Sequence, residues 1–171
     1  MKIMKYSKTL LSLTMIIPWV TVLLLGKKKL KHYFPAGVFI ALMVRLVNVI
    51  AKKRKWWWWY ETLHPRLSGV IPFMLGPFFV GSIWILKWTY GKFFRYFALN
   101  MLFDGMFTYG AVPILTKFGV ASLIRMKKNQ LMYVFMFLTL ILYAFQFLYE
   151  NIHLNKWSLI KRRKKLFDMH D

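Results

Sequence analysis

Polar side chains at helical spacing inside apolar runs are the residues of this chain best placed for chemistry. Asn100, Asp104 and Thr108 follow one another at intervals of four and therefore share one face of a helix. An ionised side chain in the middle of a bilayer costs about 2.5–3.5 kcal/mol on insertion scales. Because Asp104 lies mid-run and its short side chain cannot reach either membrane surface, it must be protonated or have a partner.

Arg45 and Asn48, three residues apart in another apolar run, are the candidate partners. An Arg45–Asp104 ion pair, flanked by Asn48 and Asn100, would satisfy both charges. The predicted role of this polar cluster is either helix packing, through hydrogen bonds that average about 0.6 kcal/mol, or a substrate, ion or proton site. Arg45 could instead extend toward the interface. A comparable stripe comprises Thr139, Tyr143, Gln146 and Glu150.

Residues for covalent catalysis are scarce. The chain has no cysteine and only five acidic residues, and it contains no GxSxG, P-loop or GxGxxG motif. The histidines all lie more than four residues apart, so they form no helical zinc pair: His32, His64, His153 and His170. We therefore expect no enzyme, no metal site and no cofactor, with a lipid-modifying enzyme as a weaker alternative.

The elements that carry these residues are long apolar runs. Hydrophobic residues make up 58% of the 171-residue chain, against about 45–50% in soluble domains, and several runs approach the roughly 20 residues that cross a bilayer. The prediction is an all-α, polytopic transmembrane helix bundle forming one integral membrane domain over 1–171, with about five spans and four as the alternative. The predicted spans are about 8–25, 33–51, 67–90, 93–115 and 131–149, followed by a basic tail over 150–171.

Proline and glycine predict irregular helices. Pro18 predicts a kink in the first span, and Pro72 and Pro77 predict a bent third span. Gly76 and Gly81 remove side-chain bulk, so another helix could approach the third span closely.

The charge is strongly positive, with 26 Lys plus Arg against 5 Asp plus Glu and a net charge of +21. These cations stand at the ends of apolar runs, where each would gain about 1 kcal/mol from anionic headgroups. We therefore expect a bilayer with anionic headgroups as partner and no nucleic acid. Five spans divide the cations 12 against 13, which gives no orientation, whereas a first segment lying flat would divide them 16 against 9. We favour five because no charge lies between Thr9 and Gly26.

The stretch KKRKWWWWY, Lys52–Tyr60, places four cations before four tryptophans and a tyrosine. Indoles concentrate where hydrocarbon meets headgroups, because the ring is apolar and its N–H is polar. At a helix end these rings can point in different directions, since interface surrounds the helix. The prediction is an aromatic belt of interface anchors at Trp56, Trp57, Trp58 and Trp59, with a cation–π site for a headgroup as the alternative.

The run Gly76–Gly110, GPFFVGSIWILKWTYGKFFRYFALNMLFDGMFTYG, combines a Gly-Pro-apolar segment, a TYG with an aromatic-basic continuation, and an apolar stretch with one Asp. In these features the chain resembles a group of small, uncharacterised multi-pass membrane proteins of Bacillus-type bacteria. The resemblance implies a bacterial cell membrane and four or five helices, and it implies no catalytic residues.

The sequence indicates the function of this chain less directly than its fold. The short loops and missing catalytic motifs favour an accessory or interaction protein of the bacterial membrane, with a membrane protein or a second copy as partner. The alternative is a small transporter or channel-like protein that uses the intramembrane Arg45/Asp104 polar cluster beside the bent third span.

Overall fold

The computed structural model describes residues 7–60, 62 and 68–167, and only the backbone of residues 7, 8, 10 and 153–167. Five helices occupy this part of the chain, which confirms the mostly helical fold class. They are α1 (Ser7–Val22), α2 (Lys27–Arg54), α3 (Ile71–Thr89), α4 (Phe93–Lys117) and α5 (Lys128–Phe167). Position 67 of the predicted third span and positions 168–171 of the predicted tail lie outside the described residues.

Four of these helices are long and apolar enough to cross a membrane by length and composition: Lys27–Arg54, Ile71–Thr89, Phe93–Lys117 and Lys128–Ile152. The first helix is shorter. Its apolar stretch runs over Leu11–Leu25 and ends in a tighter turn at Leu23–Leu25. The chain is thus a small multi-pass membrane protein with four long spans and one short apolar helix.

The short helix α1 runs alongside α3 and parallel to it. The Trp19 indole donates a hydrogen bond to the Leu75 carbonyl at 3.0 Å, and the Trp84 indole donates to the Thr21 hydroxyl at 3.0 Å. Early positions of α1 therefore face early positions of α3, and late positions face late ones. A helix lying flat on the membrane would cross α3 instead of following it.

Gly76 is where α1 approaches α3 most closely. A Cβ atom at Gly76 would overlap the Thr14 carbonyl oxygen of α1, which confirms the predicted close approach at this glycine. At Gly81, a Cβ atom would meet nothing within 4 Å. The backbone of α3 widens into a π-helical turn over Met74–Phe78, around Pro77. Prolines and π turns are ordinary causes of irregular helices.

The centre of the bundle is α2, which packs antiparallel on α3 and α5. Ile83 and Phe79 of α3 contact Gly37 of α2, and the rings of Phe39 and Phe145 stack with centroids 4.1 Å apart. The buried residues of α2 recur at Ala36, Ile40, Val44 and Asn48, which is one helical face.

The end of the bundle formed by residues 52–60 and 117–128, here called the sheet end, contains a two-stranded sheet. Helix α2 stops at Lys55, whose φ of 54° is left-handed. Strand β1 (Trp57–Trp59) then pairs antiparallel with β2 (Ala121–Leu123). Trp57, Trp58 and Trp59 therefore lie on a strand, where successive side chains alternate between two faces, and not at a helix end as expected from the sequence, while Trp56 stands in the bend before the strand.

Candidate functional site

A cavity of about 530 Å³ lies between α1, α3, α4 and α5, and we call it the cleft. Helix α1 packs on α3, while α4 packs on α3 and α5, so the cleft separates α1 from α4. Its rim includes Leu24 in the tight turn after α1, Trp88 of α3 and Phe103 of α4, which are 75%, 59% and 47% exposed. Because α3 and α4 are long and apolar enough to cross a membrane, we expect the exposed rim to face lipid.

Asp104 stands in the wall of the cleft near the middle of α4. The Thr139 hydroxyl of α5 lies beside its carboxyl group. One helical turn earlier, Asn100 lines the same wall, and its amide donates to the Tyr96 carbonyl at 2.8 Å. The Tyr96 hydroxyl in turn donates to the Thr139 carbonyl at 3.0 Å. One wall of an otherwise apolar cavity is thus polar.

The structure does not bring Arg45 to Asp104. Arg45 is exposed, and within the described residues the recorded ion pair joins His32 and Glu150 instead. Because Val44 belongs to the buried face of α2, the next residue points about 100° away from that face. Arg45 lies two turns before Lys52, so its side chain can extend along α2 toward the headgroups.

Asn48 is hydrogen-bonded elsewhere, and Thr108 does not line the cleft. The Asn48 amide donates to the Ser68 hydroxyl at 3.2 Å, and its carbonyl oxygen accepts from the Trp57 indole at 3.2 Å. Thr108 is fully buried, and its hydroxyl contacts no partner among the described residues. Of the five residues predicted to form one polar cluster, the structure places Asn100 and Asp104 in the cleft.

Sequence reasoning missed the aromatic part of the cleft. Trp84 and Trp88 line it, with ring centroids 5.0 Å apart, and the Lys87 ammonium lies 4.3 Å from the Trp84 ring centre. These tryptophans stand one turn apart on α3, but spacing alone does not show which helices leave a space beside them. Ser82 and Thr21 also line the cleft.

The predicted interface anchors divide between two environments. Trp58 is about half exposed, at 47%, whereas Trp56 is partly buried against the core. Trp57 and Trp59 instead border a small apolar cavity of about 70 Å³ inside the sheet end. Only one side of this strand is therefore free to contact headgroups, and the anchor role remains a prediction.

Glu150 forms a second polar group at the opposite end of the bundle. Its carboxylate lies 2.7 Å from His32 Nε2 and accepts from the Gln146 amide at 2.8 Å. Burial, together with the nearby Glu150 charge, raises the pKa of Tyr90. The cluster joins α2 and α5 to the turn after α3, which is a structural role.

In the described part of the chain, no three His, Cys, Asp or Glu residues lie close enough together to hold a metal ion. The cleft offers a carboxylate, an amide and two indoles beside free volume, which suits reversible binding. No family model, curated protein or solved structure matches this chain.

Proposed function

We propose that this membrane protein binds an amphipathic molecule that enters the cleft sideways from the surrounding lipid. The observation that carries the proposal is a cavity of about 530 Å³ with Asp104 in its wall. Small-molecule sites typically measure about 300–1,000 Å³ and combine apolar walls with a few placed polar groups. The proposed role is binding and transfer within the membrane, not covalent chemistry.

The entry route follows from the rim. Leu24, Trp88 and Phe103 are exposed at the edge of the cleft, so that an apolar chain can pass from lipid into the cavity without crossing water. Deeper in the cleft, Asn100 and Asp104 supply the polar contact. A ligand with one polar end and one apolar end matches this arrangement.

A leucine at Gly81 tests the proposal because Gly81 lines the cleft and has open space around it. The matched control is Gly110→Leu, since Gly110 also has open space but is exposed on α4 away from the cleft lining. The ligand is dodecanol brominated at its free end, titrated into protein in lipid nanodiscs. Bromine quenches indole fluorescence, and Trp84 and Trp88 line the cleft.

The expected result is saturable quenching in the wild type and in Gly110→Leu, and only the unsaturable background from lipid partitioning in Gly81→Leu. Equal quenching in all three proteins would refute the proposal. The other tryptophans contribute the same background to each titration, so the comparison isolates the cleft.

A second candidate is the accessory role predicted from the sequence, and the length of α5 favours it. This helix has 40 residues, about 60 Å at 1.5 Å per residue, whereas its apolar part ends at Ile152. The remaining helix carries the basic run Lys161–Lys165 away from the bundle. Replacing this run by glutamine should release a co-purifying membrane partner in mild detergent. Recovery of the same lone protomer from both proteins would remove this candidate.

The proposed location is the bacterial cell membrane, with anionic headgroups at the basic ends of the bundle and no nucleic-acid partner.

The proposed topology has five crossings, since α1 follows α3. The chain has no cysteine, so single cysteines at Thr9, Gly26 and Lys53 report sidedness without background. Thr9 and Lys53 should react with an impermeant maleimide from one side and Gly26 from the other. Labelling of Thr9 from the side of Gly26 would establish four crossings.

A further inference from the structure

We infer that the ligand of the cleft is a lipophilic cation: a single apolar chain with a positively charged ammonium head that pairs with Asp104. This inference rests on the proposed function and names its ligand class. It starts from the charge of the cleft, in which Asp104 is the only ionisable acidic or basic side chain among the lining residues.

Asp104 lacks a protein counter-charge, and a bound cation would supply the partner that an ionised carboxylate requires inside the membrane. The ion pair in the described part of the chain involves Glu150, and Arg45 lies exposed on α2. The neutral Thr139 hydroxyl beside Asp104 supplies no counter-charge, so that carboxylate lone pairs remain available to groups that enter the cavity. A cation at this site gains a Coulomb attraction that bulk water would screen.

Aromatic rings favour the same ligand class. Trp84, Trp88, Phe103 and Phe107 line the cleft, and the faces of such rings attract cations. The Lys87 ammonium already lies 4.3 Å from the centre of the Trp84 ring, so that Trp88, Phe103 and Phe107 are the rings available to a ligand cation. An ammonium group in the cleft can therefore be held by rings on one side and by Asp104 on another.

The polar wall disfavours an anionic head. Asp104 would repel a sulfate or carboxylate in the cavity, and no lining residue carries a compensating positive charge. A phosphocholine head places a phosphate next to its ammonium, so that entry would bury this phosphate without a cation. Bulk phospholipid is thus a poorer ligand than a simple amine with the same chain.

The test compares four ligands that share one terminally brominated dodecyl chain and differ in the head: trimethylammonium, hydroxyl, phosphocholine and sulfate. Each is titrated into nanodiscs that hold the wild type, Asp104→Asn, Asp104→Glu or Gly81→Leu, with tryptophan quenching as the readout. Asparagine keeps the size of the side chain and removes its charge. Glutamate keeps the charge.

The wild type should bind the trimethylammonium ligand at least about tenfold more tightly than the alcohol. Only the cation is attracted electrostatically to Asp104, and this attraction is stronger inside the cleft than in bulk water. Asp104→Asn should bind the two ligands about equally, and Asp104→Glu should retain the preference. Retained binding of the alcohol by Asp104→Asn shows that this variant is folded.

Two results would overturn the inference while leaving the proposed function intact. One is equal affinity of the wild type for the alcohol and the cation, and the other is phosphocholine binding as tight as that of the cation. If every ligand quenches the wild type and Gly81→Leu alike, the proposed function fails and the ligand assignment fails with it. Should Asp104→Asn not fold, the ligand series on the wild type decides the question.

Discussion

The cleft and the sheet end use similar residues for different purposes. At the sheet end, Asn48 is hydrogen-bonded to Trp57 and Ser68, and the backbones of β1 and β2 pair with each other. In the cleft, Asp104 lies beside the Thr139 hydroxyl and a cavity of about 530 Å³. Polar groups that satisfy one another hold a bundle together, whereas a polar group beside free volume is available to a ligand.

Substitutions at two glycines of α3 show the largest expected difference between a packed region and an open one. We expect Gly76→Leu to lower the free energy of unfolding by about 3 kcal/mol, the upper part of the usual range for overpacking, because its side chain would displace the α1 backbone at Thr14. Gly81→Leu should be stabilising by up to about 1 kcal/mol, since leucine forms helices better than glycine.

Unfolding of both variants by SDS in mixed micelles measures the difference, with the wild type as reference. Equal losses at the two glycines would show that Gly81 is as closely packed as Gly76. The cleft would then not exist as an open space.

The second contrast is between polar residues of the two regions. Asn48→Leu removes the partner of the Trp57 indole and of the Ser68 hydroxyl, and it should lower the free energy of unfolding by about 1–3 kcal/mol. Asp104→Asn should change this free energy little, because asparagine has the same size as aspartate and its carbonyl oxygen can accept the same hydrogen bonds. The same SDS titration compares them, and a larger loss for Asp104→Asn would assign Asp104 to helix packing.

A substitution at Thr108 has the smallest expected effect on the free energy of unfolding, and the direction of this effect is easy to test. Its fully buried hydroxyl has no hydrogen-bond partner among the described residues. Thr108→Val keeps the shape of the side chain and should raise the free energy of unfolding by about 1 kcal/mol, because burying an unpaired hydroxyl costs free energy. Asn100→Leu is the control: its amide is hydrogen-bonded, so this variant should lose stability. A loss of stability in Thr108→Val would indicate a hydrogen bond to this hydroxyl.

The sequence predicts the helices of this protein well because apolar length is a local property. Long runs between basic clusters indicate where the spans lie, and Gly76 indicates a close contact. The ends of the helices are less predictable from the sequence. Lys27–Lys31 read as a loop between spans, but they form the first turns of α2, since charged residues are fully compatible with helix beyond the hydrocarbon.

Long-range pairing accounts for the features that the sequence did not predict. The tryptophan run pairs with residues more than sixty positions away, and no local pattern in Ala121–Leu123 identifies that partner. The polar stripe that contains Asp104 can be recognised in the sequence. The side chains that lie beside this stripe in the folded protein cannot. Arg45 lies outside because a different face of α2 packs inward. Which face packs inward depends on the packing of three helices together.

Cross-linking by a dodecyl trimethylammonium ligand with a diazirine in its chain tests the central claim most directly. The wild type is irradiated in nanodiscs with this ligand, and the labelled peptides are mapped by mass spectrometry. Cross-links should concentrate in residues 77–88 of α3 and 100–107 of α4, and Gly81→Leu should abolish them. Labelling spread evenly over all lipid-facing helices, or concentrated at the β1–β2 sheet and unchanged in Gly81→Leu, would contradict a ligand site between α1 and α4.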